Sequence, residues 1–150
     1  METINHECYV SLEVAKLFKE AGFDWECTHY YSVNTLHEPN NGFIHIYKQY
    51  EALFYDHNRT KMPVYSAPTL DVAQKWLREV KHLDISIHYD PTIKSQPYVY
   101  FIYDVEEKFN DILGIISPIT HSYSDGYFYK YEEAQEGGIK KALEIINKGE

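Results

Sequence analysis

Residues 69–80 read Thr69-Leu70-Asp71-Val72-Ala73-Gln74-Lys75-Trp76-Leu77-Arg78-Glu79-Val80, and their spacing decides the fold class. Ala73, Trp76, Leu77 and Val80 recur at intervals of three and four, which places them on one stripe of an α-helix. Thr69, following Ala67-Pro68, stands where a hydroxyl can accept from an orphan amide of the first turn. Asp71 lies four residues before Lys75 on the outer face, a favourable pairing. Directly beyond the helix, Asp84-Ile85-Ser86-Ile87-His88-Tyr89 changes to a period of two, the pattern of a half-buried strand. A one-striped helix beside a one-faced strand predicts helices packed on a sheet.

Working outward, two further helices carry the same stripe. Val14, Leu17, Phe18 and Ala21 form the first, with Ser11 as N-cap and Gly22 placed to close it in the left-handed conformation. Ile139, Ala142, Leu143 and Ile146 form the other, with Glu132 and Glu133 at the start and Lys140 and Lys141 further on, as the helix dipole favours. Gly137-Gly138 breaks its propensity at a cost of about 1 kcal/mol each relative to alanine. Either the backbone is approached closely there by a strand or ligand, or the helix starts late or kinks.

Strands are predicted over Phe23–Tyr31, Phe43–Tyr47 and Tyr98–Tyr103, the last with apolar bodies on both faces and therefore central in its sheet. Ser124-Asp125-Gly126 before Tyr127-Phe128-Tyr129 reads as a hairpin turn, and Asn34–Asn41 and Asp56–Pro68 as loops. The expected fold is a single α+β domain over residues 1–150, with three amphipathic helices on a mixed or antiparallel sheet of about four to six strands. An internal echo, Ser11-Leu12-Glu13-Val14-Ala15-Lys16 against Thr69-Leu70-Asp71-Val72-Ala73-Gln74, is explained by duplication or by convergence on a good helix start.

The formal net charge of −9 works against phosphate backbones, so no nucleic-acid partner is expected; an acidic mimic competing for a basic partner stays open. Met1-Glu2-Thr3-Ile4-Asn5-His6-Glu7 lacks the features of a signal peptide, and no run reaches the roughly 18 apolar residues of a membrane span, which leads to the expectation of a cytoplasmic protein without membrane contact. Two cysteines do not make a disulfide framework.

His6, Cys8, Cys27 and His29 would suit tetrahedral zinc if brought together, but their spacing matches no zinc motif, and buried thiols are the alternative; no metal or cofactor is expected. Asp24 with Glu26 would share a strand face, as surface carboxylates often do. Gly137-Gly138-Ile139-Lys140-Lys141 lacks the phosphate-loop spacing, and His82, His88 and His121 are scattered. The fifteen tyrosines stand out, because each is a large ring with a hydroxyl that wants a partner. Tyr123, Tyr127, Tyr129 and Tyr131 crowd around one hairpin, and Tyr123, Tyr127 and Tyr129 are the candidate interaction surface, the alternative being a second layer that buries them.

Ala67-Pro68-Thr69-Leu70-Asp71-Val72-Ala73-Gln74-Lys75-Trp76-Leu77-Arg78-Glu79-Val80 and Tyr131-Glu132-Glu133-Ala134, with Val10–Phe23 and Tyr131–Ile146 around them, resemble small uncharacterised proteins encoded by bacteriophages and mobile elements of gut bacteria. The resemblance implies an accessory, phage-like origin and a bacterial cytoplasm. It carries no activity.

No convergent catalytic set is legible, so the expected function is a non-catalytic protein-interaction or binding module. A small enzyme or ligand-binding domain with a Tyr, His and carboxylate site is one alternative, favoured if His6, His29, His45 and His88 share a cleft. An acidic inhibitor of a host protein is another. Oligomeric state and partner identity are not legible.

Overall fold

The computed structural model describes residues 7–33, 42–46, 56–59, 61, 63–104, 120–121 and 127–148. The elements run α1 (Leu12–Glu20), β1 (His29–Val33), β2 (Gly42–Ile46), a 3-10 turn (His57–Arg59), β3 (Val64–Ser66), α2 (Leu70–Val80), β4 (Leu83–Tyr89), β5 (Tyr98–Asp104), β6 (Thr120–His121) and α3 (Tyr131–Asn147). The architecture is α+β, with the helices where their stripes place them. The described strands form two antiparallel sheets of three, ordered β2-β1-β3 and β4-β5-β6, and not one sheet of about four to six. Alternation fixes which face of a strand is buried but does not name the neighbouring strand, which is why the division escapes the sequence. The chain forms two compact units, Met1–Asp71 with Ile146–Glu150, and Val72–Ile145.

In the first unit, α1 is closed at both ends by its own residues. Ser11 Oγ accepts from the Val14 N–H at 3.3 Å. At the other end Gly22 takes φ +90°, the Phe23 N–H reaches Phe18 O at 2.9 Å, and the Gly22 N–H reaches Lys19 O at 3.2 Å. This is a Schellman closure, and the Phe18 and Phe23 rings meet edge to face at 5.2 Å as its apolar contact. The closure shortens the strand expected over Phe23–Tyr31, which begins only at His29. Phe23 belongs to the helix end, and its carbonyl accepts from Asn58 Nδ2 instead of from a neighbouring strand.

β1 is the central strand of its sheet, with His29 opposite Ile46 and Tyr31 opposite Tyr65. The stretch Asp56–Pro68, expected to be a loop, holds the 3-10 turn and β3; three strand residues are too few for a period to register. Asn34–Asn41 lies outside the described residues. Before each of α1 and α2 the chain is extended, and these two entries pair: Tyr9 bridges Thr69, the Val10 N–H reaches Pro68 O at 3.0 Å, and the Leu70 N–H reaches Cys8 O at 2.8 Å.

In the second unit the α2 stripe is buried at Ala73, Trp76 and Leu77, whereas Val80 is 43% exposed, because the helix ends there. His82 follows with φ +59°, the left-handed conformation that in α1 falls to a glycine. β4 and β5 pair along their full lengths, from Leu83 opposite Asp104 to Tyr89 opposite Tyr98, and β5 is central, as expected. Ile85, Ile87 and Tyr89 therefore share a face with Ile102, Tyr100 and Tyr98.

α3 runs unbroken through Gly137 and Gly138. The close-approach reading of the pair is the one observed: a Cβ at Gly138 would stand 2.7 Å from Ile85 Cγ2 and 3.2 Å from Tyr100 Cβ, so the helix backbone lies directly on the strands. A Cβ at Gly137 would press on the ring of Phe128, at 2.9 Å, and stand at ordinary contact distance, 3.5 Å, from Tyr100 Cε1. Gln135, itself buried, donates through Nε2 to Gln74 Oε1 at 2.9 Å and so ties α3 to α2, while Gln74 Nε2 donates to Ile85 O at 2.5 Å.

The strand orders weigh on the internal echo. After α1 the first strand is central; after α2 the second is. The likeness is confined to the helices and what leads into them.

The two glycines should respond differently to alanine. Gly138→Ala is expected to destabilise by about 1–3 kcal/mol, because the contact with two buried strand residues outweighs the roughly 1 kcal/mol gained in helix propensity. Gly137→Ala, whose one close contact is the far end of the Phe128 ring, should fall within about 1 kcal/mol of wild type. Denaturant melts of the two variants check the order; equal stabilities would show that the helix is free to lift off the strands.

Candidate functional site

At the end of the second unit where β4 and β5 are joined, the tyrosines of the inner sheet face pass out of the core. Tyr100 is buried beneath the α3 glycines, and the next positions along that face, Tyr98 and Tyr89, are half-buried and 63% exposed. Their rings meet edge to face at 5.5 Å, and Tyr98 meets Tyr131, the first residue of α3, at 6.1 Å and 86°. The turn that sets this geometry is built on Asp90, whose carboxylate accepts from the Thr92 hydroxyl at 2.6 Å and the Thr92 N–H at 2.9 Å. Those two bonds hold Asp90 below the usual carboxylate range. The Asp90 N–H closes the loop on Pro97 O at 2.6 Å.

Of the candidate surface residues, Tyr123 lies outside the described residues, as does Ser124-Asp125-Gly126. Tyr127 and Tyr129 are 39% and 62% exposed. Phe128 between them bridges Tyr98, with backbone bonds of 2.8 and 3.1 Å, and its ring turns toward Tyr100 and Gly137. Tyr89 and Tyr98 were missed as members of the group. The signal for them is that Tyr89 closes one strand pattern and Tyr98 opens the next after a short loop, and antiparallel pairing brings the two opposite each other.

The zinc candidates divide. His6 lies outside the described residues, Cys8 is exposed and Cys27 is buried. His29 is half-buried against Tyr9, ring centroids 4.0 Å apart, with Thr28 Oγ1 2.7 Å from its Nδ1. Among the described residues no three His, Cys, Asp or Glu side chains are grouped to hold a metal. Burial pushes the Cys27 thiol up to about 12, which leaves it protonated and a poor nucleophile. Of the other histidines, His88 belongs to the second unit and shares a hydrogen bond with Ser86, and the side chains of His45 and His121 lie outside the described residues. Asp24 and Glu26 are exposed on an irregular segment and not on a strand.

A buried polar group that the sequence did not disclose centres on His57, on the 3-10 turn. Its backbone N–H donates to Ser66 Oγ at 3.0 Å, its Nε2–H to Cys27 O at 2.8 Å, and its ring stacks on Tyr30 at 4.6 Å. The carbonyl can only accept, so Nε2 carries the proton. Asn58 completes the group, donating to Phe23 O and accepting from the Ser66 N–H, both at 3.0 Å. Each of these bonds ends on backbone or on a group that fixes backbone, so the arrangement braces β3 and the turn. Burial lowers His57 against the pull of the Cys27 carbonyl and Asp56, and lowers His29 against Glu7.

No family model, curated protein or solved structure matches this chain. Among the described residues no helix is long and apolar enough to cross a membrane.

The two cysteines should differ in chemistry: a disulfide reagent is expected to titrate Cys8 in the folded protein and Cys27 only after denaturation. Two fast thiols in native buffer would show that the β1 end of the first unit is open.

His57 and His29 both bind protons less readily folded than unfolded. Their contribution to stability is therefore complete above the unfolded value of about 6.5 and is lost as the pH falls through the lowered folded values. The melting temperature should drop between pH 7 and pH 5, with a shallower slope in His57→Gln. Parallel curves for variant and wild type would show that His57 does not titrate on unfolding.

Proposed function

We propose that the chain is a protein-interaction module and that its docking surface is the tyrosine group at the β4–β5 loop and the start of α3. The observation that carries this reading is the run of rings Tyr100, Tyr98, Tyr89 and Tyr131, which begins in the core and ends with Tyr89 63% and Tyr131 45% exposed. Rings anchored by packing at one end and open at the other offer large, rigid contact area at little entropic cost. Tyr127 and Tyr129, held on either side of the Phe128 bridge, extend the exposed aromatic area.

Charge favours a basic partner. Glu132 and Glu133 are exposed immediately after Tyr131, and the chain as a whole carries −9. Cationic groups of a partner would gain both from those carboxylates and from the faces of the tyrosine rings, whereas a nucleic acid would meet repulsion. A module of this kind fits an acidic inhibitor of a host protein in a bacterial cytoplasm, in keeping with the phage-like helix phrases.

The experiment is affinity capture by wild-type protein, followed by titration of the captured protein, once purified, against Tyr89→Ser/Tyr131→Ser and Tyr127→Ser/Tyr129→Ser. Both variants should stay within about 1 kcal/mol of wild-type stability, as exposed positions do. Binding should weaken at least tenfold, or about 1.4 kcal/mol, in one or both, and should weaken further with added salt. Full retention of binding by both folded variants would remove the surface from the function.

A further inference from the structure

The first unit carries a local reversal of the chain's charge. Lys16 and Lys19 lie three residues apart on α1, one turn of helix, and border an open recess of about 440 Å³ together with Lys61, Glu20, Pro63 and Tyr65. Three ammonium groups thus border the recess beside one carboxylate of its lining, with Asp56 attracting Lys19, in a protein whose net charge is −9. Tyr65, on β3, holds two of them: Lys19 Nζ stands 5.2 Å and Lys16 Nζ 5.8 Å from its ring centroid. Lys19 is fixed further by donating to Val64 O at 2.9 Å. Among the described residues neither Lys16 nor Lys61 forms an ion pair.

The recess is built and not an accident of long side chains. β3 is held in place by the buried hydrogen bonds of Ser66 to His57 and Asn58, and α1 by its two closures, so the backbones that carry Tyr65 and the α1 lysines are both fixed. Burial draws Lys19 down from the ordinary lysine range, against the attraction of Asp56. A partly dehydrated cation gains more from a bound anion than a fully hydrated one does.

We propose that this recess binds a small phosphomonoester, with Lys16, Lys19 and Lys61 around the phosphate and Tyr65 and Pro63 against the apolar or sugar part of the molecule. With Glu20 and the attraction of Asp56 counted, the three ammonium groups still leave a local positive excess, and the charge of about −1.5 to −2 that a phosphomonoester carries near neutral pH can engage more of them than the single charge of a carboxylate or a phosphodiester. The volume lies within the range of small-ligand sites. A nucleic-acid polymer is a poorer fit, because its flanking phosphates would extend over the acidic remainder of the chain. The site is independent of the tyrosine surface, which belongs to the other unit.

The test uses the full chain and adenosine monophosphate, glucose 6-phosphate and inorganic phosphate as probes, with adenosine and dimethyl phosphate as controls, followed by calorimetry and backbone amide NMR shifts. At least one of the two phosphomonoesters should bind saturably, shifting amides of residues 16–20 and 61–65. Affinity should fall at least tenfold in Lys16→Gln/Lys61→Gln, whose melting temperature should match wild type because both residues are exposed. Binding by inorganic phosphate alone would remove the roles of Tyr65 and Pro63 and overturn the proposal. So would absence of saturation at about 10 mM ligand, equal affinity for dimethyl phosphate, or unchanged affinity in the folded double variant. Loss of partner capture in the tyrosine variants bears on the other surface and leaves this one unaffected.

Discussion

The backbone of α3 lies on the β4–β5 pair at Gly138, close enough that even a methyl group would collide with Ile85 and crowd Tyr100. Much of the second unit follows from that contact. It lets Ala134, Ile139, Ala142 and Leu143 bury fully, brings Gln135 to Gln74 and leaves Tyr100 under the helix. It also sets where the core stops. The inner face of the sheet continues past the helix start, so Tyr98 and Tyr89 emerge there beside Tyr131. The aromatic surface is the place where an inward-facing row of side chains runs out of cover.

The first unit reaches definition by other means. Its apolar contribution comes from α1 and the Phe18–Phe23 closure, but β3 and the 3-10 turn are too short to be held by apolar area. Polar side chains do that work: His57, Asn58 and Ser66 satisfy backbone groups that a longer sheet would have paired. A buried network of this kind fixes geometry only when its members are satisfied. The same bracing positions the lysine recess.

The legibility of the chain in its sequence divides along this line. Where an element's own residues carry its signal the reading holds: Ser11 caps α1, Gly22 closes it, Trp76 and Leu77 are core, and β5, apolar on both faces, is central. It fails where information is short or non-local. β3 has three residues and no period; His57 acquires its role from a carbonyl thirty residues away; the partition into two sheets depends on pairings that alternation does not encode. Val80 was misplaced because a stripe does not announce where its helix ends, and Phe23 because a residue serving a helix closure looks like one opening a strand. Gly137-Gly138 marked a special place without saying which, since a close approach and a kink leave the same two letters. The tyrosine group was half legible: density around 123–131 was visible, but Tyr89 and Tyr98 join it only through strand register.

The pairing of Tyr9 with Thr69 carries a cost in chain entropy. β4 and β5 are joined through residues 90–97 and pair by closing a short loop, whereas the bridge between the two helix entries closes one of about sixty residues, which costs about 2 kcal/mol more in chain entropy. The first unit also takes in Ile146–Glu150, where Asn147 Nδ2 donates to Leu17 O across most of the chain. Each unit is thus completed by contacts distant in sequence, Asn147 to Leu17 in the first and Gln135 to Gln74 in the second, so neither is finished from one contiguous stretch of local pairings.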